Sequence, residues 1–176
     1  MCSRNHVHAG YWFTNTNSHL PAANIDANYF THIFCGYAGI EAWIECFPHL
    51  PSKKIVFGIP FHGWAWKLAN PQEHEVFSKA NGAAIGDNIS SDGKIDYSNI
   101  IKFIEDNQAE NVKKDNRYVI GYTFYGSTWI AYENEATIPE KIALAKAHNV
   151  HGYFAWNIAA DDDVNTLANA AQRNWW

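Results

Sequence analysis

Apolar positions fall in short unbroken runs near both ends of the chain, with helical spacings and polar stretches between them. Residues 7–13 form an apolar and aromatic stretch that meets Thr14-Asn15-Thr16-Asn17, which predicts a first strand followed by a loop. After a connector around 21–28, residues 30–38 run Phe-Thr-His-Ile-Phe-Cys-Gly-Tyr-Ala. This continuous, β-branched and aromatic run suits a strand covered on both faces of a parallel sheet. Ile40, Trp43, Ile44 and Phe47 then recur at i, i+3, i+4 and i+7, with Glu41 and Glu45 turned away, as on one amphipathic helix. Pro48 and Pro51 end that helix, and 54–59 make a third buried strand. Strand, connector, strand, helix, strand is the order of parallel α/β units.

From 69 to 134 the pattern changes. The stretch is rich in Asn, Gly, Asp and Ser and holds one helix with Tyr97, Ile100, Ile101 and Ile104 on a face. Two strands follow at 118–124 and 128–132, joined through Tyr125-Gly126-Ser127 as a hairpin. The expectation is a small α+β module, 69–134, inserted into an α/β domain made of 1–68 and 135–176. The α/β pattern resumes with Thr137 and Glu140 as a capping box, opening a helix with Ile138, Ile142 and Ala145 inward. Lys146 and His148 suit its last turn, Asn149 its close. A fourth buried strand is expected at 152–157, then a terminal helix with Val164, Leu167, Ala168 and Ala171 on one face.

Composition narrows the function classes. With 47% hydrophobic and 18% charged residues the chain is globular. Its 176 residues suit one domain but fall short of the roughly 250 of a complete (β/α)8 barrel. The net charge of -5 is spread out, with no basic run to follow a phosphate backbone, so nucleic acid is not the expected partner. No run of 18 apolar residues predicts a membrane span, and residues 1–9 lack the apolar core of a signal peptide. Cys2, Cys35 and Cys46 have neither metal spacing nor an even count, and Cys35 reads as core. His6 and His8 share one strand face without a carboxylate or cysteine to complete a ligand set, so no metal and no cofactor are expected. The 8 Trp, 9 Tyr and 10 Phe leave two readings open: buried area in the core, or surfaces that grip the C–H faces of a sugar ring.

Four segments then resemble the plant class V chitinases of glycoside hydrolase family 18. They are Gly10-Tyr11-Trp12-Phe13, Phe30-Thr31-His32-Ile33-Phe34-Cys35, residues 54–66 (Lys-Ile-Val-Phe-Gly-Ile-Pro-Phe-His-Gly-Trp-Ala-Trp) and Gly152-Tyr153-Phe154-Ala155-Trp156. They look like barrel strands one, two, seven and eight of that family, and the module carrying Ser127-Thr128-Trp129-Ile130 looks like its α+β insertion after strand seven. The resemblance implies a partial (β/α)8 TIM barrel with an α+β insertion before the last strand. Its usual setting is extracellular or vacuolar, and the compartment of this chain stays unassigned. Three family patterns do not occur here: Ser-x-Gly-Gly, Asp-x-x-Asp-x-Asp-x-Glu and Met-x-Tyr-Asp. After Gly39 the chain passes directly into what looks like the helix before strand seven, as if strands three to six were missing. Because strands eight and one are neighbours in a closed barrel, the expected arc runs seven, eight, one, two. Its unpaired edges would then be 30–38 and 54–59, available for pairing with a second copy.

The implied chemistry follows. Family 18 hydrolysis resembles the substrate-assisted exception to the two-carboxylate scheme, with a Glu as acid and an Asp orienting the substrate's acetamido group. Both acids belong to the missing strand four, so no catalytic residue is assigned. Asp161-Asp162-Asp163 precede a helix and read as N-cap residues, and Glu41 and Glu45 as a solvated helix face. Tyr11, Tyr37, Trp129 and Trp156 are the substrate-binding residues the resemblance implies, for chitin or N-acetylglucosamine oligosaccharides. The expectation is a chitinase-like protein that binds such sugars without hydrolysing them. Two alternatives stand beside it: an assembly protein pairing through its open half-barrel, and an active chitinase whose acid comes from another residue or a partner chain.

Overall fold

The computed structural model describes residues 9–13, 27–29, 31–36 and 51–176, with the backbone alone given for 10–13, 27, 35 and 36. The described strands and helices are β1 (Ala9–Phe13), β2 (His32–Gly36), β3 (Ile55–Pro60), β4 (His62–Leu68), β5 (Ala80–Ala83), β6 (Lys94–Asp96), α1 (Tyr97–Asn107), β7 (Glu110–Asp115), β8 (Ile120–Tyr125), β9 (Thr128–Tyr132), α2 (Ile138–Ala147), β10 (Gly152–Trp156) and α3 (Thr166–Trp175). The chain divides into two compact units: Met1–Ile59 with Ala143–Phe154, and Pro60–Ile142 with Ala155–Trp176. The helix expected at 40–47 lies outside the described residues.

The first unit is built on an open four-stranded sheet in the order β1-β2-β3-β10. β1, β2 and β3 are parallel, with Gly10, Ile33 and Ile55 in one register row and Tyr11, Phe34 and Val56 in the next. The His151 N–H donates to the Ile55 carbonyl at the start of β3, and the Phe61 N–H donates to the Trp156 carbonyl at its end. Starts lie together and ends lie together, so β10 is parallel as well. Ile33, Ile55 and Ile59 are buried on one face, as the unbroken apolar runs require. On the other face the half-buried rings of Phe34 and Phe154 stand 5.0 Å apart.

Strand order corrects one expectation. The segments expected at opposite edges, 30–38 and 54–59, supply β2 and β3, which pair with each other, and among the described residues β1 and β10 stand at the ends of the strand order. The reason is connectivity: β3 is the next described strand after β2, and strands that follow one another in a chain commonly pair as neighbours.

The second unit carries a mainly antiparallel sheet, β5-β4-β9-β8-β7, with β6 also paired to β4. The expected hairpin is present, its strands β8 and β9 closing through Gly126 and Ser127. Gly126 has φ 57°, at the first loop position where type II′ turns place glycine. β5, β6 and β7 were not foreseen, because Ala80–Ala83 and Lys94–Asp96 are short and Glu110–Asp115 is mostly charged. Pairing partners make these segments strands, more than side-chain pattern does. α1 lays Tyr97 and Ile100 on the sheet, and Gly63 permits the approach: a Cβ there would stand 2.7 Å from Ile100 Cδ1.

Helix ends follow their local chemistry, with two corrections. The box opening α2 is Asn134 with Thr137, not Thr137 with Glu140. Asn134 Oδ1 accepts from the N–H of Ala136 and Thr137, while Thr137 Oγ1 accepts from the Asn134 N–H. Glu140 pairs instead with Lys114 of β7. α2 closes as expected on Asn149 at φ 55°, with Asn149 N–H to Lys146 O and Val150 N–H to Ala145 O forming a Schellman motif. At α3, Leu167 and Ala171 are buried, but Val164 precedes the helix and is 70% exposed.

Candidate functional site

Four tryptophans of the second unit present open ring surface: Trp64 and Trp66 are each 41% exposed, Trp156 is 45% exposed, and Trp176 at the end of α3 is 92% exposed. Alternation along β4 puts Trp64 and Trp66 on one sheet face, with the small residues Gly63 and Ala65 on the other. Trp66 is the register partner of Trp129, and Trp64 that of Ala131, so this face continues onto β9. Trp129 itself is buried, stacked on Tyr122 at 5.3 Å, and its indole Nε1 donates to the His74 carbonyl at 3.0 Å. The ring of His74 in turn stacks on Phe124 at 3.9 Å, and Val76 packs on the same cluster. The β8–β9 part of the face is therefore roofed by the segment holding His74 and Val76, while the β4 part is open.

His62 links Trp156 to this face. Its Nδ1 lies 3.3 Å from the Trp156 carbonyl, and its ring meets Trp64 edge to face at 5.8 Å. The imidazole is buried, and that burial holds its pKa below the ordinary histidine value. The Trp156 carbonyl and the carboxylates of Asp96 and Asp92 oppose the shift, and Lys94 adds to it. Asp96 stands opposite His62 across β4 and β6, with Lys94 3.9 Å from it.

The carboxylates nearest in sequence to Trp156 serve a helix. Asp161 Oδ1 accepts from the Leu167 N–H at 3.1 Å and Oδ2 from the Ala168 N–H at 2.9 Å. Asp162 accepts from the Thr166 N–H and hydroxyl. Both cap α3, as the N-cap reading of Asp161-Asp162-Asp163 expects. The buried Glu133 accepts from Thr137 Oγ1 at 2.7 Å and pairs with Lys141. Among the described residues no three His, Cys, Asp or Glu side chains gather as a metal set, and no helix is long and apolar enough to cross a membrane.

Of the residues singled out from sequence, Trp156 is open and Trp129 is core-packed on the sheet that carries Trp64 and Trp66. Tyr11 lies on β1 in register with Phe34, with only its backbone described, and Tyr37 lies outside the described residues. Trp64 and Trp66 were not assigned a role, although the alternation His62-Gly63-Trp64-Ala65-Trp66 carries the signal.

Comparison with known proteins places these features. The family described as Glycosyl hydrolases family 18 matches residues 10–161. A "Class V chitinase" of Arabidopsis thaliana is 41% identical over 141 residues, covering 80% of this chain and 35% of that protein. The crystal structure of a mutant class V chitinase from Nicotiana tobaccum in complex with NAG4 aligns with a TM-score of 0.81 at 26% identity, covering 95% of this chain and 56% of the other. A chitinase-like agglutinin from Robinia pseudoacacia aligns at 26% identity with a TM-score of 0.67, over 89% of this chain and 50% of its own. The chain thus spans about a third of the Arabidopsis relative and about half of each solved chain.

Proposed function

The chain belongs to glycosyl hydrolases family 18, as a class V chitinase-like member, and from that premise we propose that it binds N-acetylglucosamine oligosaccharides without hydrolysing them. The observation that carries the reading is the open aromatic surface of Trp156, Trp64 and Trp66, linked through His62. Indole rings offer a flat apolar face to sugar C–H groups, while the hydroxyl and acetamido edges stay hydrated. Trp129 contributes from the neighbouring strand as the buried register partner of Trp66, and Tyr11 and Tyr37 are sugar contacts by family resemblance.

The absence of hydrolysis follows from the missing acids. Asp-x-x-Asp-x-Asp-x-Glu does not occur in the 176 residues. General acid catalysis needs a carboxyl within reach of the leaving oxygen. Asp161, Asp162 and Glu133 are already engaged at the starts of α3 and α2. The tobacco chitinase mutant in complex with NAG4 supports the ligand class, and the likeness to a chitinase-like agglutinin fits a binding role.

The test is titration calorimetry with chitotetraose run beside a hydrolysis assay on the same preparation. Binding without turnover is the expected result. Turnover that survives removal of contaminating chitinases would replace this reading with the active-enzyme one.

A further inference from the structure

We infer that the second unit carries a further sugar-binding groove, between one flank of α1 and the loop from β5 to β6, that takes a single neutral sugar unit. The inference borrows the ligand class proposed above and uses none of the tryptophans. The groove measures about 270 Å³, with α1, residues 85–89 and Thr128 at the start of β9 as its walls. That lies just under the roughly 300–1,000 Å³ of pockets that enclose drug-sized ligands, so it suits one ring rather than a chain.

The groove is separate from the tryptophan face. Trp64 and Trp66 stand on one side of β4 and Gly63 on the other, where a Cβ would meet Ile100 Cδ1 of α1. Thr128 is the register partner of Lys67 and so alternates with Trp129, the partner of Trp66. α1 and Thr128 therefore lie on the side of the sheet that the tryptophans do not, and one sugar ring cannot reach both.

Helical spacing builds one wall. Asn99, Lys102, Phe103, Asp106 and Asn107 follow i, i+3, i+4, i+7 and i+8 along α1 and line the groove, beside the stripe of Tyr97 and Ile100 that packs on the sheet. Across from them Ile85 is 96% exposed and Ile89 is half-buried. This loop wall is tied in place. The Ile89 N–H donates to the Gly86 carbonyl at 3.2 Å, and the Ser90 N–H and hydroxyl both donate to the Lys94 carbonyl at 2.9 Å.

The lining selects the ligand. The side chains of Asn99, Lys102, Asp87 and Asp106 make no hydrogen bond or ion pair among the described residues, which leaves donors and acceptors for a ligand. One cation beside two carboxylates disfavours a phosphate or other polyanion. A neutral ring with C–H faces and hydroxyl and acetamido edges uses both kinds of wall: its face on Phe103 and Ile85, its edges on Asn99, Lys102 and Asp106. Sites on opposite sides of one sheet let the protein bridge two sugar chains, which raises avidity without new contacts.

The test is a chitobiose titration of the isotope-labelled chain followed by NMR. The side-chain amides of Asn99 and Asn107 report on the groove, and the indole N–H signals of Trp64, Trp66 and Trp156 report on the other face. Both sets should shift, the groove set with a dissociation constant on the order of 1 mM, as a ligand of this size allows. Lys102→Ala and Asp106→Ala replace exposed helix residues with the best helix former, so the fold is kept. Each should weaken binding at the groove signals about tenfold, the loss of one charge-assisted hydrogen bond, and leave the indole response unchanged. Shifts at the indoles alone, groove shifts that both variants leave intact, or equal groove shifts from glycerol at the same concentration would each overturn the inference. Groove shifts with silent indoles would support it and count against the tryptophan face, so the two readings fail separately.

Discussion

Two tryptophans that sequence treats alike are physically different. Trp156 is 45% exposed, while Trp129 is buried on Tyr122 with its indole N–H satisfied by the His74 carbonyl. Trp129→Ala should cost about 3–5 kcal/mol of folding stability, because it leaves a cavity and an unpaired carbonyl. Trp156→Ala should cost less than about 1 kcal/mol yet weaken chitotetraose binding roughly tenfold, the loss of one stacking surface. Urea unfolding and calorimetry on both variants separate the two effects, and equal stability losses would contradict the assignment. His62 predicts a pH dependence. Its folded pKa lies below the ordinary histidine value near 6.5, chiefly through burial, so the unfolded chain binds more protons below that pH. Its contribution to stability is therefore fully present above pH 6.5 and is lost as pH falls toward the folded value. Unfolding free energies at pH 7.5 and 5 should fall more steeply for the unmodified chain than for His62→Gln, and parallel slopes would refute the role.

At the scale of elements, boundary chemistry was partly legible. Asn149 closing α2 and Asp161 with Asp162 capping α3 were readable from residue type, because these ends depend on neighbours within a few positions. The start of α2 was misread for the opposite reason. Thr137-x-x-Glu140 has the spacing of a box, but Lys114, distant in sequence, takes Glu140, and Asn134 supplies the cap. Asn134→Ala should therefore cost about 1–2 kcal/mol, and Glu140→Ala within about 0.5 kcal/mol of nothing. Thermal melts of the two variants rank them, and a larger loss for Glu140→Ala would restore the original box. β7 was missed because a charged segment becomes a strand only when β8 offers it a partner.

At the scale of the whole molecule, the chain spans about a third of the length of the Arabidopsis relative it matches, and its stability responds to whatever binds the folded form. Chitotetraose should raise the melting temperature in a concentration-dependent way, by an amount that grows with the logarithm of ligand over dissociation constant. Scanning fluorimetry with cellotetraose as control reads it, and an equal shift with cellotetraose would remove the acetamido group from the recognition. The parallel strands, the hairpin, the helix at 97–107 and the family were legible in sequence, although the strand expected to be buried at 152–157 is β10, whose residues are half-buried or exposed. Unbroken apolar runs, alternation and 3.6-residue spacing are local signals, and four motifs in family order are hard to produce by chance. Strand order was not legible. Placing β2 beside β3 is a choice among backbone edges with equal hydrogen-bonding capacity, and no residue code distinguishes them. The same holds for the tryptophans. Side-chain type determined that Trp64, Trp66, Trp129 and Trp156 would seek cover, but only tertiary packing decided that Trp129 received it from Tyr122 while the other three kept open surface.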